Sequence, residues 1–570
     1  MSKTLIALAT MAILVSPVLA EQAPKIDPPQ KWIHIMGNLL SDEGRAGIIK
    51  VVQDAAKAGY TGVLINDVKL IKYQVQPKEY AQKLAEFRKA CTDCNVKIIA
   101  AVTPFGYAAD MLTHDVNLAE GMPVRGATFV VKDGKLVPDE GDFPQLINGS
   151  FNALEGGKPA GWTVEDAKGQ MSIEPAGGKD GKSCLKFDAT STGSDPRVTQ
   201  KIKVKPWHYY HVIAMVKLQD FTDKELQIVA RGKDRNLTWQ MCDYQKNQDW
   251  TAIHATFDSL DNDEITLAIG RWATKGGTIW IDDVKIEPGA FVNVLRRPSL
   301  PLVVTGTDGK TAYEEGKDFS TVADPKLLKD PREGYFSRWH EAPAVTIPVG
   351  SKLKDGQQVL ASYHFPITCG KSTQINICMS EPKIYEIVQA EIEWIRDNLK
   401  PDVYFMSHDE IRHLGWDDSC VKTGKTCGQI LAENATKCVA IIEKVAPGKP
   451  IAVWSDDFDP NHNADKDKKN YYLLKGDGPL YESWLGLPKQ VCIVNWSHKA
   501  VSVKFFSEHG NQQVISDSSP ENLVTLLKEC GKAPGVIGVM FTNWSSDYSK
   551  AADYAKAVDA WAAEAGAFKK

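Results

Sequence analysis

The residues in this 570-residue sequence best suited to chemistry are two adjacent pairs of carboxylates. Asp409-Glu410 follows the apolar run Val403-Tyr404-Phe405-Met406 and precedes Arg412; Asp456-Asp457 follows Ile451-Ala452-Val453-Trp454. Two carboxyls held side by side resist ionising together, so one keeps its proton near neutral pH. Glycoside hydrolysis needs such a proton for the leaving oxygen, and a second group that attacks or steadies the sugar carbon. Glu410 is the expected general acid/base. Asp409 is expected to orient the substrate or stabilise positive charge at the sugar. Asp456 or Asp457 is the reserve second carboxylate, binding hydroxyls or acting as base. The competing readings are a helix N-terminal acidic cap neutralised by Arg412, and Asx-type loop capping at Asp456-Asp457.

Further polar and aromatic residues stand where apolar runs end: Asp67, Tyr107, His364, His408, Trp454, Trp496 and Trp544. They are candidate substrate contacts, because indole faces stack on sugar rings and polar groups bind hydroxyls. His408 and His462 beside the aspartates give a metallohydrolase alternative, but no compact His-x-x-x-His signature accompanies them. Gly-x-Ser-x-Gly, a phosphate-binding loop and a dinucleotide fingerprint in strand-turn-helix context are all missing, so no cofactor is expected for catalysis.

The elements that must position these residues alternate. Trp32–Met36, Gly62–Ile65 and Lys97–Val102 read as strands, separated by helical periodicity over Asp42–Ala58 and Pro77–Cys91. The rhythm resumes with strands at 357–363, 403–407, 450–455, 491–495 and 536–541, a shorter one at Gln512–Ile515, and helices at 382–398, 428–445, 519–531 and 549–564. That makes nine strand candidates, one more than an eight-stranded barrel holds; the first strand or 357–363 is the candidate to lie outside. Between the two halves, a hairpin is expected around Asp133-Gly134, and 145–288 shows short alternating strands without a convincing helix. The fold class is α/β: a split (β/α)8 TIM-like barrel with an inserted β-sandwich. The expected divisions are 21–140 for the first barrel part, 141–290 for the sandwich, 291–350 for a β-rich connection and 351–570 for the second barrel part.

Two resemblances sharpen this. Asn148-Gly149-Ser150-Phe151, Pro159-Ala160-Gly161-Trp162, Trp250-Thr251, Phe257 and Gly277-Thr278-Ile279-Trp280-Ile281-Asp282-Asp283-Val284 resemble a CenC-type carbohydrate-binding module. That resemblance implies a jelly roll that binds glycan, with Trp207, Tyr209, Tyr210, Trp239 and Trp272 as candidate stacking surfaces. It also implies a structural calcium, for which Asp283 is the candidate ligand, although Asn152 stands where the family usually has Glu. Phe405-Met406-Ser407-His408-Asp409-Glu410, with Trp454, Trp496 and Trp544, resembles the catalytic strand end and pocket of family 20 hexosaminidases. There Glu is the acid and Asp orients a substrate acetamido group. Ser407 and His408 replace the glycines that usually precede the pair.

Composition sets the wider frame. Lys+Arg is 67 against Asp+Glu 72, a net charge of −5 with no strong basic patch, so nucleic acid is not an expected partner; carbohydrate is. Residues 1–20 read as a secretory signal peptide with Lys3, an apolar Leu5–Val15 stretch and a Val18-Leu19-Ala20 cleavage site, so a secreted or periplasmic product without a transmembrane segment is expected. Rival readings are a non-catalytic carbohydrate-binding protein on a degenerate barrel, and an envelope scaffold. Of the 11 Cys, the close pairs Cys91/Cys94, Cys369/Cys378 and Cys420/Cys427 are disulfide candidates. A zinc site would require a second close pair brought nearby by the fold.

Overall fold

The computed structural model describes residues 25–567 except 28, 167–168, 189–194, 223–225, 240–241, 243 and 273–275. The expected signal peptide lies outside the described residues.

Eight parallel strands close into a barrel in chain order: Gln30–Met36, Gly62–Asn66, Lys97–Val102, Val403–Met406, Ile451–Trp454, Cys492–Asn495, Gln513–Asp517 and Val536–Phe541. Lys97–Val102 pairs directly with Val403–Met406 (Val102 opposite Met406), although 300 residues separate them in sequence. Gln30–Met36 pairs with Val536–Phe541 and closes the ring. Barrel strands are buried on both faces, which is why they read as continuous apolar runs. Their inward residues, among them Trp32, Leu64, Ile99, Phe405, Val494 and Met540, fill the interior. The outward residues meet the surrounding helices. In Lys383–Asn398, for example, Ile384, Val388, Ile392 and Ile395 form the buried stripe at helical spacing. Helix Cys427–Val445 is started by a capping box between Thr426 and Gln429. Between Ile451–Trp454 and the next barrel strand, Cys492–Asn495, there is no α-helix; two short 3₁₀ turns, Asp456–Phe458 and Ser483–Gly486, stand in a long loop.

The strand expected at 357–363 is the one outside the ring. Gln358–Phe365 pairs antiparallel with Met122–Lys132 and Val303–Gly306. Its first half alternates exposed or half-buried Gln358, Leu360 and Ser362 with buried Val359, Ala361 and Tyr363. That is the pattern of a sheet covered on one face, not of a barrel strand. Met122–Lys132 turns at Asp133-Gly134 into Lys135–Pro138 as a hairpin.

Residues 163–288 form two further antiparallel sheets, one of five strands and one of four. They share a core that includes Phe187, Val212, Leu267 and Ile281. Tyr209 and Tyr210, expected as stacking surfaces, are buried in this core because their strand lies in the middle of the five-stranded sheet. Trp239 is 38% exposed and packs at a tilt of 53° against Tyr472 of the barrel's long loop, with ring centres 4.7 Å apart.

Cys91, Cys94, Cys369, Cys378, Cys420 and Cys427 carry unjoined thiols, so none of the three sequence-close pairs forms a disulfide. Cys369 faces the Arg412 carbonyl, and Cys427 faces those of Leu414 and Lys475. No helix among the described residues is long and apolar enough to cross a membrane.

Candidate active site

A cavity of about 670 Å³ opens at the C-terminal end of the barrel strands. Every barrel strand except Gln513–Asp517 contributes to it, through residues at its end or in the loop that follows. Asp409, Glu410 and Arg412 enter from the fourth strand, Trp454 and Asp456 from the fifth, Trp496 from the sixth and Trp544 from the eighth. Tyr107 enters from the loop after the third strand. In barrels of this kind chemistry sits on this face, where several loops converge on one point.

The acid-bearing turn is firmly held. Ser407 N–H donates to the Val102 carbonyl at 2.8 Å, and Ile411 N–H to Asp457 Oδ2 at 2.9 Å. Glu410 adopts a left-handed backbone (φ 50°), uncommon for a residue with a side chain. Such conformations cluster where a side chain must be aimed rather than where the chain would rest.

The two members of the pair have opposite surroundings. Glu410 is loaded with donors: Arg412 Nη2 on Oε1, and the Tyr107 hydroxyl and Gln374 Nε2 on Oε2. Asp409 receives no hydrogen bond on its carboxyl from any described residue. Burial, then the neighbouring charges of Glu410 and Asp457, push its pKa well above the usual carboxylate range. Asp456 is pushed the same way by burial and by Asp457 and Asp409. Asp457 rises to about 6 by burial, a rise limited by hydrogen bonds from Ile411 N–H and Asn463. Arg412 lies over the Tyr472 ring at 4.2 Å, which fixes its guanidinium between the cavity wall and Glu410.

The tryptophans differ in depth. Trp454 is 4% exposed, belongs to the barrel interior and packs edge-on against Phe405 at 4.9 Å. Trp544 is 47% exposed, stands 5.9 Å from Trp454 and lines the cavity. Trp496, half-buried, stands between these extremes.

Four expected contacts do not reach the cavity lining. His408 is wholly buried; its Nε2 meets Asn434 Oδ1 at 2.7 Å and its ring packs on Phe105, so it anchors the turn from behind. Asp67 is consumed by its own loop, accepting from Leu39 N–H at 2.8 Å and the Tyr80 hydroxyl at 3.0 Å; its neighbour Asn66 lines the cavity instead. His364 ends the strand that lies outside the ring, and stands 3.7 Å from Asp418. Asp457 turns away to hold Ile411 and Asn463, leaving Asp456 as the cavity-facing member of its pair. Asp283, the expected calcium ligand, lies 3.1 Å from Lys285 and 3.9 Å from Lys179, so the chain's own cations already face it.

Asn463, Tyr471 and Tyr472 line the cavity, and the buried Gln374 holds Glu410 from behind the lining; the sequence announces none of them. They sit in irregular loops without periodicity, and only the adjacent tyrosines are a compositional hint.

No protein-family model matches the chain, and no curated protein matches it. Among solved structures, the chitobiase of Flavobacterium johnsoniae is 14% identical over 32% of this chain and 30% of its own (TM-score 0.25). A β-N-acetylhexosaminidase is 11% identical over 32% and 43% (TM-score 0.24). The CBM22-1 xylan-binding domain from Paenibacillus barcinonensis is 16% identical over 25% and 91% (TM-score 0.19). The structural neighbours thus include glycoside hydrolases and carbohydrate-binding modules, each over a minor part of this chain. At these TM-scores they carry nothing about the chemistry, which rests on the site's own geometry.

Proposed function

We propose that this chain is an exported glycoside hydrolase, secreted or periplasmic, acting on a poly- or oligosaccharide. We read its architecture as a (β/α)8 barrel split by an inserted jelly roll that helps hold the glycan. The observation that carries the proposal is the convergence of Asp409, Glu410 and Asp456 on one tryptophan-walled cavity at the barrel mouth. A buried, raised carboxyl beside a second one held in place by donors supplies the acid and the charge-stabilising group that glycosidic cleavage requires.

In this proposal the proton rests on Asp409, whose carboxyl is unpartnered and raised, and passes to the leaving oxygen. Glu410, oriented by its three donors, stabilises or attacks the cationic sugar carbon. This exchanges the roles that the hexosaminidase resemblance gives the pair. Asp456 binds a sugar hydroxyl or serves as the second proton carrier. Trp544 and Trp496 supply the stacking faces.

Turnover by the full chain tests the proposal. Polysaccharides and aryl-glycosides, N-acetylhexosaminides included, are incubated with wild type and Glu410→Gln. Release of reducing sugar by wild type alone is expected. Retention of glycan with no release across that panel would instead favour a binding protein.

A further inference from the structure

We infer that Glu120, Cys378, Asp417 and Cys420 form a structural Zn²⁺ site behind the acid-bearing turn. The four residues come from three separate stretches of chain and are all buried. One ligand atom from each lies within 4.8 Å of all the others. Cys378 Sγ is 3.7 Å from Cys420 Sγ, and Cys420 Sγ is 3.4 Å from Glu120 Oε2. Two thiolates bound at about 2.3 Å to one tetrahedral zinc stand about 3.8 Å apart, and a thiolate and a carboxylate oxygen about 3.5 Å apart. The side chains already have those spacings. Thiolates paired with carboxylates select zinc over the hard cations calcium and magnesium.

The surroundings fit a bound dication. Glu120 Oε1 accepts from Gly415 N–H at 2.8 Å, and Asp417 Oδ1 accepts from Cys420 N–H at 3.0 Å, so backbone donors orient both carboxylates. Arg297 donates to Asp417 Oδ2 at 2.5 Å and offsets one of the site's negative charges. The buried imidazoles of His364 and His413 both feel Asp417, yet neither has a hydrogen-bond partner on either ring nitrogen. Arg297 is a permanent cation facing the cluster. Cys378 and Cys420 must shed their thiol protons to ligate zinc. Zinc binding releases those protons to solvent, with no change in oxidation state.

The site ties the turn of Asp409-Glu410 to the rest of the barrel. Asp417 and Cys420 lie just beyond that turn, Cys378 precedes helix Lys383–Asn398, and Glu120 follows the third barrel strand.

The test uses the full chain, expressed with zinc in the medium and purified without chelator. Elemental analysis is expected to give about one zinc per chain. Chelation should lower Tm, and Zn²⁺ alone should restore it. Cys378→Ser should lose the metal and the chelator response. If that variant does not fold, the stoichiometry and Tm response of wild type still decide. A metal-free chain whose Tm ignores added Zn²⁺ would overturn the site, as would an intact mass and peptide map showing a Cys378–Cys420 disulfide. None of these readouts depends on glycan turnover.

Discussion

A Cβ atom on Gly106 would stand 1.8 Å from the carbonyl oxygen of Asp409 and 2.6 Å from that of Glu410. The loop after the third barrel strand therefore runs against the backbone of the acid-bearing turn, and only a residue without a side chain permits it. One residue on, Tyr107 hands its hydroxyl to Glu410. Gly106→Ala must push the two loops apart. A displacement near 1 Å at reacting groups costs roughly 100-fold in rate. We expect kcat to fall by about that factor while the far-ultraviolet circular dichroism of the variant stays that of wild type.

Tyr107→Phe isolates one of the three donors on Glu410. The ring and its packing remain, and a hydrogen bond to a charged group worth about 1.5–3 kcal/mol is lost. A fall in kcat/KM of roughly 10- to 100-fold is expected, smaller than that of Glu410→Gln. Equal kinetics for Tyr107→Phe and wild type would show that Glu410 does not need this donor.

The tryptophans should separate by depth. Trp544→Ala removes a half-exposed indole at the mouth, so KM should rise about 10-fold with Tm nearly unchanged. Trp454→Ala empties part of the barrel interior and should cost about 3–5 kcal/mol of stability, read as a lower urea midpoint.

Glu391 gives a pH prediction away from the cavity. It is buried on helix Lys383–Asn398, accepts from Thr103 N–H at 3.1 Å, and is pushed by burial to about 8. Between its ordinary value of 4.5 and about 8 the unfolded chain has released this proton while the folded chain keeps it. Its contribution therefore falls as pH rises across that window, by up to about 1.4 kcal/mol per unit. Glu391→Gln keeps an acceptor for Thr103 and removes the ionisation. Urea midpoints at pH 5 and pH 8 should show the variant gaining on wild type as pH rises; a constant difference would mean that Glu391 ionises alike in both states.

Much of the barrel is legible in the sequence because double burial writes itself as apolar runs followed by polar residues, as at Val403–Met406 and Ile451–Trp454. The doubtful strand at 357–363 is settled by its alternation, a signal already present in Gln358–Tyr363. The site is only half legible. Asp409, Glu410, Asp456, Tyr107 and the tryptophans can be located from strand ends, but whether such a residue faces the cavity or braces the loop depends on one peptide's rotation. Asp67 and Asn66 divide those tasks, as do Asp457 and Asp456. Tyr472 reaches the cavity, and Gln374 reaches Glu410, from irregular loops where no period points to them. The cysteines show the same limit: spacing suggests Cys369/Cys378 and Cys420/Cys427, whereas the fold sets Cys378 against Cys420.

The division of labour between Asp409 and Glu410 can be read directly from leaving-group dependence. On one responding sugar, rates are compared for a saccharide leaving group, which needs a proton, and a dinitrophenyl leaving group, which does not. Asp409→Asn should slow the first by roughly 10²- to 10⁴-fold and largely spare the second. Glu410→Gln should slow both to a similar degree. The opposite pattern would place the proton on Glu410, and two variants as fast as wild type on both substrates would remove the pair from catalysis.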